Sequence, residues 1–170
     1  SKVCDFFFGN ICESDESEES TDAEAVEGAC PDKFCFPLDN YIVEGHFLSD
    51  NGNPNHMYHT AEDVAGSAGT PVYAIYDGYI SLSGNFGTGV YIVIDHQDPV
   101  VYSLYGHLSY SRWYKTEGHV KKGELIGYLG NTEEISGYID AWGSFQSYDP
   151  HLHFSIRTGS KGDYCDGSIS

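Results

Sequence analysis

Positive charge is scarce in this chain. Its 170 residues hold eight Lys and Arg against 26 Asp and Glu, a formal net charge of −18. Nucleic-acid binding depends on cations that neutralise phosphates, so no nucleic-acid partner is expected. An anionic membrane surface is an equally poor partner. Long apolar runs are lacking too. Phe6-Phe7-Phe8 is far too short to cross a bilayer, which takes about 20 residues, so no membrane span is expected. No signal peptide is visible, and the chain opens on Ser1 rather than Met, as expected of a mature or trimmed form. The five cysteines, Cys4, Cys12, Cys30, Cys35 and Cys165, include no C-x-x-C pair, which argues against a thiolate zinc site. One or two disulfides in an exported protein are expected instead, with the connectivity open and one thiol left free or paired outside the chain. Ser-Lys-Val before Cys4 is unlike a lipoprotein cleavage site. Helical periodicity is missing as well, apart from a short piece around Thr60–Ala65.

The length suits one domain with an extra segment. Residues 13–27 carry eight acids and almost no bulky apolar side chains. Such a run cannot bury enough surface to order itself, so it is expected to be a solvated linker, or a mask lying across a site. Residues 1–33 are accordingly expected to be a disordered or loosely packed acidic segment, and residues 34–170 a domain. Within that domain, runs rich in Val, Ile and Tyr are separated by Gly or Asp-Gly. They include Thr70–Tyr76, Tyr79–Leu82, Gly89–Ile94, Val100–Tyr105, Gly123–Leu129 and His151–Arg157. These are strands and hairpins, predicting a mostly β fold with antiparallel pairing.

Three polar pieces stand out: His59 with Asp63, His107 in Tyr105-Gly106-His107-Leu108, and His151-Leu152-His153. Alternate residues of a strand share a face. On the last strand His151, His153, Ser155 and Arg157 therefore point one way and Leu152, Phe154 and Ile156 the other. The same parity puts Tyr105, His107 and Ser109 on one face and Leu104, Gly106 and Leu108 on the other, with Tyr105 beside the site. His59 and Asp63, four apart, share a face in a helix or a strand. Two histidines, a carboxylate and an open position are how a catalytic zinc is built. Isolated histidines are ordinarily surface or core residues, and His46, His56, His96 and His119 are assigned so.

With these pieces the chain resembles the M23 family of zinc metallopeptidases, the LytM and lysostaphin type of peptidoglycan endopeptidase. H-x-x-x-D, Tyr-x-His-Leu and His-Leu-His occur in the family's order, joined by similar text at Gly69–Ala74, Asp77-Gly78 and Val120–Gly127. The resemblance covers residues 36–158. It implies an antiparallel β-sheet groove, with His59, Asp63 and His153 as ligands of Zn2+ and His107 and His151 as the catalytic histidines. It implies hydrolysis of peptide bonds in peptidoglycan, at stem-peptide crosslinks or Gly-rich bridges, by a secreted or envelope-located monomer. Ala61 departs from the family's usual Gly, and Ser170 leaves little room for a C-terminal wall-binding module. No His-Glu-x-x-His helix is present, so proton transfer falls to histidine, whose ordinary pKa of about 6.5 suits it.

Other readings fit less well. An iron oxygenase of the H-x-H type needs a carboxylate shortly after the pair, where Phe154-Ser155-Ile156-Arg157 stands. A lipoyl- or biotinyl-carrier barrel needs an exposed Lys in a tight turn, which is not evident. A silent M23-like domain that binds and activates another cell-wall hydrolase would lack zinc ligands, and this chain has the full set.

Overall fold

The computed structural model describes residues 34–49, 59–97, 100–135, 138–139 and 145–158. The acidic run, His56 and every cysteine but Cys35 lie outside the described residues. Cys35 is buried and disulfide-bonded. The described chain is mostly β. Its strands are β1 (Val43–Gly45), β2 (Glu62–Ala65), β3 (Pro71–Tyr73), β4 (Gly78–Asn85), β5 (Val90–Gln97) and β6 (Val100–Leu108), followed by β7 (His119–Val120) and β8 (Leu125–Tyr128). A four-residue helix, α1 (Thr132–Ile135), then precedes β9 (Tyr138–Ile139), β10 (Phe145–Gln146) and β11 (His151–Arg157).

Seven strands form one sheet in the order β1-β2-β11-β6-β5-β4-β7, every neighbouring pair antiparallel. Strands β3 and β8 pair separately. One face of the large sheet supplies the core: Val64 from β2, Leu152 and Phe154 from β11, Tyr105 and Leu108 from β6, Ile92 and Ile94 from β5. Val72 of β3 and Ile126 of β8 complete it. Each such fully buried aliphatic side chain contributes about 1.5–3 kcal/mol. Alternation along β11 therefore runs as its sequence predicts, with Leu152 and Phe154 in the core and Ile156 packed against it.

Two expectations are corrected. The helical piece around Thr60–Ala65 is strand from Glu62 on, because β2 pairs on both sides, with β1 and with β11. Six residues of ambiguous spacing yield to that tertiary pairing. The parity along β6 also fails. Val90 pairs with Leu108 and Ile92 with Tyr105, so two steps along β5 face three along β6. This bulge adds one residue and turns the strand over. Tyr105 is thereby a core residue, fully buried, its hydroxyl accepting the Ile75 N–H at 3.0 Å, and it does not sit at the site. His107, at φ 64°, takes the opposite face. A left-handed backbone costs a residue with a Cβ about 1–2 kcal/mol. Gly89, just before the facing strand β5, makes room for it: a Cβ there would lie 2.8 Å from the Leu108 carbonyl oxygen and 3.0 Å from His107 Cα.

Candidate metal centre

Asp63 of β2 lies directly opposite His153 of β11, and His153 directly opposite Gly106 of β6. Residues paired across antiparallel strands share a face, so the carboxylate and the imidazole meet although they are 90 residues apart in sequence. Glycines flank the pair. A Cβ on Gly45, which faces Asp63 from β1, would fall 2.9 Å from Asp63 Oδ2. A Cβ on Gly106 would meet the Tyr91 ring at 2.7 Å and His153 Cβ at 3.2 Å. His59 enters from the segment before β2. Its backbone exchanges hydrogen bonds with Leu48 and Ser49, which brings its ring over Asp63.

Three donor atoms converge. His59 Nε2 to Asp63 Oδ1 is 3.2 Å, His153 Nδ1 to Asp63 Oδ1 is 3.0 Å, and His59 Nε2 to His153 Nδ1 is 3.2 Å. A tetrahedral zinc with bonds of about 2.0–2.1 Å sets its ligands about 3.3 Å apart. The triangle has that size, and its chemistry, two imidazoles and a carboxylate, fits zinc. His59, Asp63 and His153 form the one grouping of this kind among the described residues.

Hydrogen bonds to backbone carbonyls fix the tautomers of three rings. His59 Nδ1 donates to the His46 oxygen (3.2 Å), His107 Nδ1 to the Thr88 oxygen (2.7 Å) and His151 Nδ1 to the Asp149 oxygen (2.7 Å). A carbonyl only accepts, so each ring carries a proton on Nδ1, and in its neutral form the lone pair lies on Nε2. His107 and His151 stand beside the trio. Their ring centroids are 4.7 Å apart, the His107 ring is 5.5 Å from that of His153, and His151 Nε2 is 3.6 Å from Asp63 Oδ1. All five residues singled out in the sequence are thus brought together, while His96 is buried in the core and His46 contributes only its carbonyl.

The charges follow the geometry. Burial works against the Asp63 carboxylate, but hydrogen bonds from His153 and His59 overrule it and hold it well below the ordinary range. His59 is raised by its bond to Asp63, against burial. Burial lowers His153 despite the pull of Asp63. Burial pushes His107 down to about 3, with the Thr88 bond opposing, so that ring is neutral at any ordinary pH.

Sequence reasoning missed several neighbours. Tyr148 stacks on His107 with centroids 6.3 Å apart and meets His151 edge-on at 5.7 Å. Tyr91 meets His107 edge-on at 5.6 Å. The two flanking glycines carried a signal, since Gly inside a strand marks close approach. The tyrosines carried none, because aromatics are ordinary strand residues.

A sheet face that gathers two imidazoles and a carboxylate at one point, with two lone-pair imidazoles alongside, defines a site of the metal-dependent hydrolase type. The chain belongs to peptidase family M23, whose family model matches residues 57–166. It is 38% identical over 100 residues to the DD-carboxypeptidase/endopeptidase Mpg of Neisseria meningitidis serogroup B, a match covering 58% of this chain and 20% of that protein. It is 30% identical over 128 residues to the murein hydrolase activator NlpD of Salmonella dublin, covering 74% of this chain and 28% of that one. A solved zinc-containing peptidase from Vibrio cholerae superimposes with a TM-score of 0.55 at 26% identity, over 71% of this chain and 35% of its own. The chain thus spans 20–28% of the length of these curated relatives. No helix among the described residues is long and apolar enough to cross a membrane.

Proposed function

We propose that this chain is a zinc-dependent endopeptidase that hydrolyses peptide bonds in peptidoglycan. The observation that carries this reading is the donor triangle of His59, Asp63 and His153, with edges of 3.0–3.2 Å. These three residues hold the metal, and His107 and His151 are the catalytic pair. Zinc bound there lowers the pKa of a water to about 7 and polarises the scissile carbonyl. The chain's own groups do the rest. His151, whose Nδ1 donates to the Asp149 carbonyl and whose Nε2 faces the metal trio, accepts the proton of the attacking water on Nε2 and returns it to the leaving amine. His107, held neutral by burial, orients the water as an acceptor through Nε2. Asp63 stays ionised throughout.

The substrate class is supported by the family and by the relatives' printed activities. Stem-peptide crosslinks and Gly-rich bridges both remain in view. The Cys35 disulfide supports an oxidising location, secreted or in the cell envelope. Residues 34–170 are the proposed peptidase unit.

Metal content of the purified chain by mass spectrometry tests the reading, together with hydrolysis of crosslinked peptidoglycan fragments. About one zinc per chain is expected, lost in His59→Ala and Asp63→Ala. His151→Ala should keep the zinc and lose hydrolysis. The similarity to NlpD supports a second reading, a domain that activates another wall hydrolase. Absence of zinc and hydrolysis, with stimulation of a partner hydrolase, would establish that reading instead.

A further inference from the structure

Glu134 takes no part in the chemistry above, yet it is only 6% exposed and both of its carboxylate oxygens are engaged. Oε1 accepts from Ser109 Oγ at 2.8 Å and from the Ser111 N–H at 3.0 Å. Oε2 accepts from the Asn131 N–H at 2.9 Å, while Asn131 Oδ1 accepts from the Glu134 N–H at 2.9 Å. That reciprocal pair is a capping box at the start of α1. Ser109 Oγ also accepts the Arg112 N–H at 3.2 Å. The partners lie on two segments, residues 109–111 leaving β6 and Asn131 following β8. The two segments are joined to each other around His107. The Gly130 N–H donates to the His107 carbonyl at 2.9 Å, and the Ser109 N–H donates to the Tyr128 carbonyl at 2.8 Å. A Cβ on Gly130 would lie 3.1 Å from the His107 oxygen and 2.8 Å from Ile135 Cγ2, so α1 packs close behind this contact.

His107 needs such a hold. Its backbone is left-handed at φ 64°, a conformation that persists in a residue with a Cβ only where the surroundings over-determine it. The direction of its ring, and the 2.7 Å bond from Nδ1 to the Thr88 carbonyl, follow from that backbone.

We propose that Glu134 is a positioning residue for His107: its carboxylate ties the exit of β6 to the exit of β8, and so fixes the left-handed turn that aims the imidazole. A carboxylate is required because every group facing it is a donor. A Gln in its place would turn an NH2 toward an N–H or O–H. The catalytic side of this role rests on the function proposed for His107, but the geometric side does not.

Nitrogen-15 NMR of the full chain, with and without zinc, reads the imidazole Nδ1–H signals of His59, His107 and His151. In Glu134→Gln the His107 signal should exchange with solvent at least about tenfold faster, while the His59 and His151 signals and the zinc content hold. Turnover of peptidoglycan fragments should fall about tenfold to a hundredfold in kcat at unchanged KM, as for a misaimed group. Ser109→Ala, which removes a single bond to the carboxylate, should shift the same signal less and serves if Glu134→Gln does not fold. An unchanged His107 signal in Ser109→Ala and Glu134→Gln overturns the proposal. Loss of all three signals together also overturns it, because Glu134 would then support the fold at large. A chain without hydrolytic activity still gives the NMR answer, so failure of the functional reading stays distinguishable.

Discussion

Gly45 and Gly106 set the spacing of the donor triangle. Each faces a ligand-bearing position, and each omits the one atom that would crowd it. Gly45→Ala puts a Cβ 2.9 Å from Asp63 Oδ2, so the carboxylate must swing away. Zinc affinity is expected to fall about 10–100-fold, as when groups around a metal ligand are disturbed. Competition with a chelator measures this, and an unchanged affinity would show that Asp63 relaxes without leaving the trio. Ser155, two residues beyond His153, gives a prediction of opposite sign. Its hydroxyl is buried and has no hydrogen-bond partner among the described residues. An unsatisfied buried group costs about 1–3 kcal/mol, so Ser155→Ala should leave stability unchanged or raise it by about 1 kcal/mol in urea titration. The metal trio also links binding to pH. Zinc at the proposed site would take the lone pair of His59, whose pKa is held above the ordinary value of 6.5 by its bond to Asp63. As pH falls through that raised value, protonated His59 leaves the ligand set, so zinc affinity measured against pH should begin to drop above pH 6.5.

At the scale of elements, β11 and β6 show what can be read from residues alone. The alternation of β11 was legible because its apolar set, Leu152, Phe154 and Ile156, fills one face without interruption. The pattern of β6 misled because a bulge has no residue signature of its own on the bulged strand. Here the enabling glycine, Gly89, lies across from it, just before β5. Parity therefore put Tyr105 at the site and His107 there for the wrong reason. The grouping of His59, Asp63 and His153 was legible from motif order, whereas the role proposed for Glu134 was not, since an acid in a polar run reads as a solvated one. Gly89→Ala tests the bulge. At φ 92°, with the new Cβ 2.8 Å from the Leu108 carbonyl, it should destabilise the protein by at least about 1–3 kcal/mol in denaturant and abolish the His107 Nδ1–H signal. Retention of both would mean that the hairpin absorbs the methyl by a shift of register.

Across the whole molecule, acidity shapes stability as well as partners. Most of the 26 acids bear on solubility and self-repulsion, but Glu134 is bonded within the fold. Burial works against its charge, and its hydrogen bonds from Asn131, Ser111 and Ser109 prevail, lowering it from 4.5. A depressed carboxyl stabilises the fold above its unfolded value and loses that stabilisation as pH falls through its folded value. Stability should therefore decline as the pH is taken below 4.5, more gently in Glu134→Gln, which starts about 1.5–3 kcal/mol lower at neutral pH. Urea titrations of the two proteins at several pH values check this, and parallel curves would assign the acid limb to other groups.

The strand order has a temporal meaning. β11 follows β2 and β6 in the chain but lies between them in the sheet. Until it threads into that gap, Asp63 has no His153 opposite it and the sheet is split in two. Closure of the sheet and completion of the donor triangle are thus one event, slow in folding because its contacts join distant residues. On the proposed function the site is incomplete until β11 is in place, and metal bound there would act as a latch on that strand.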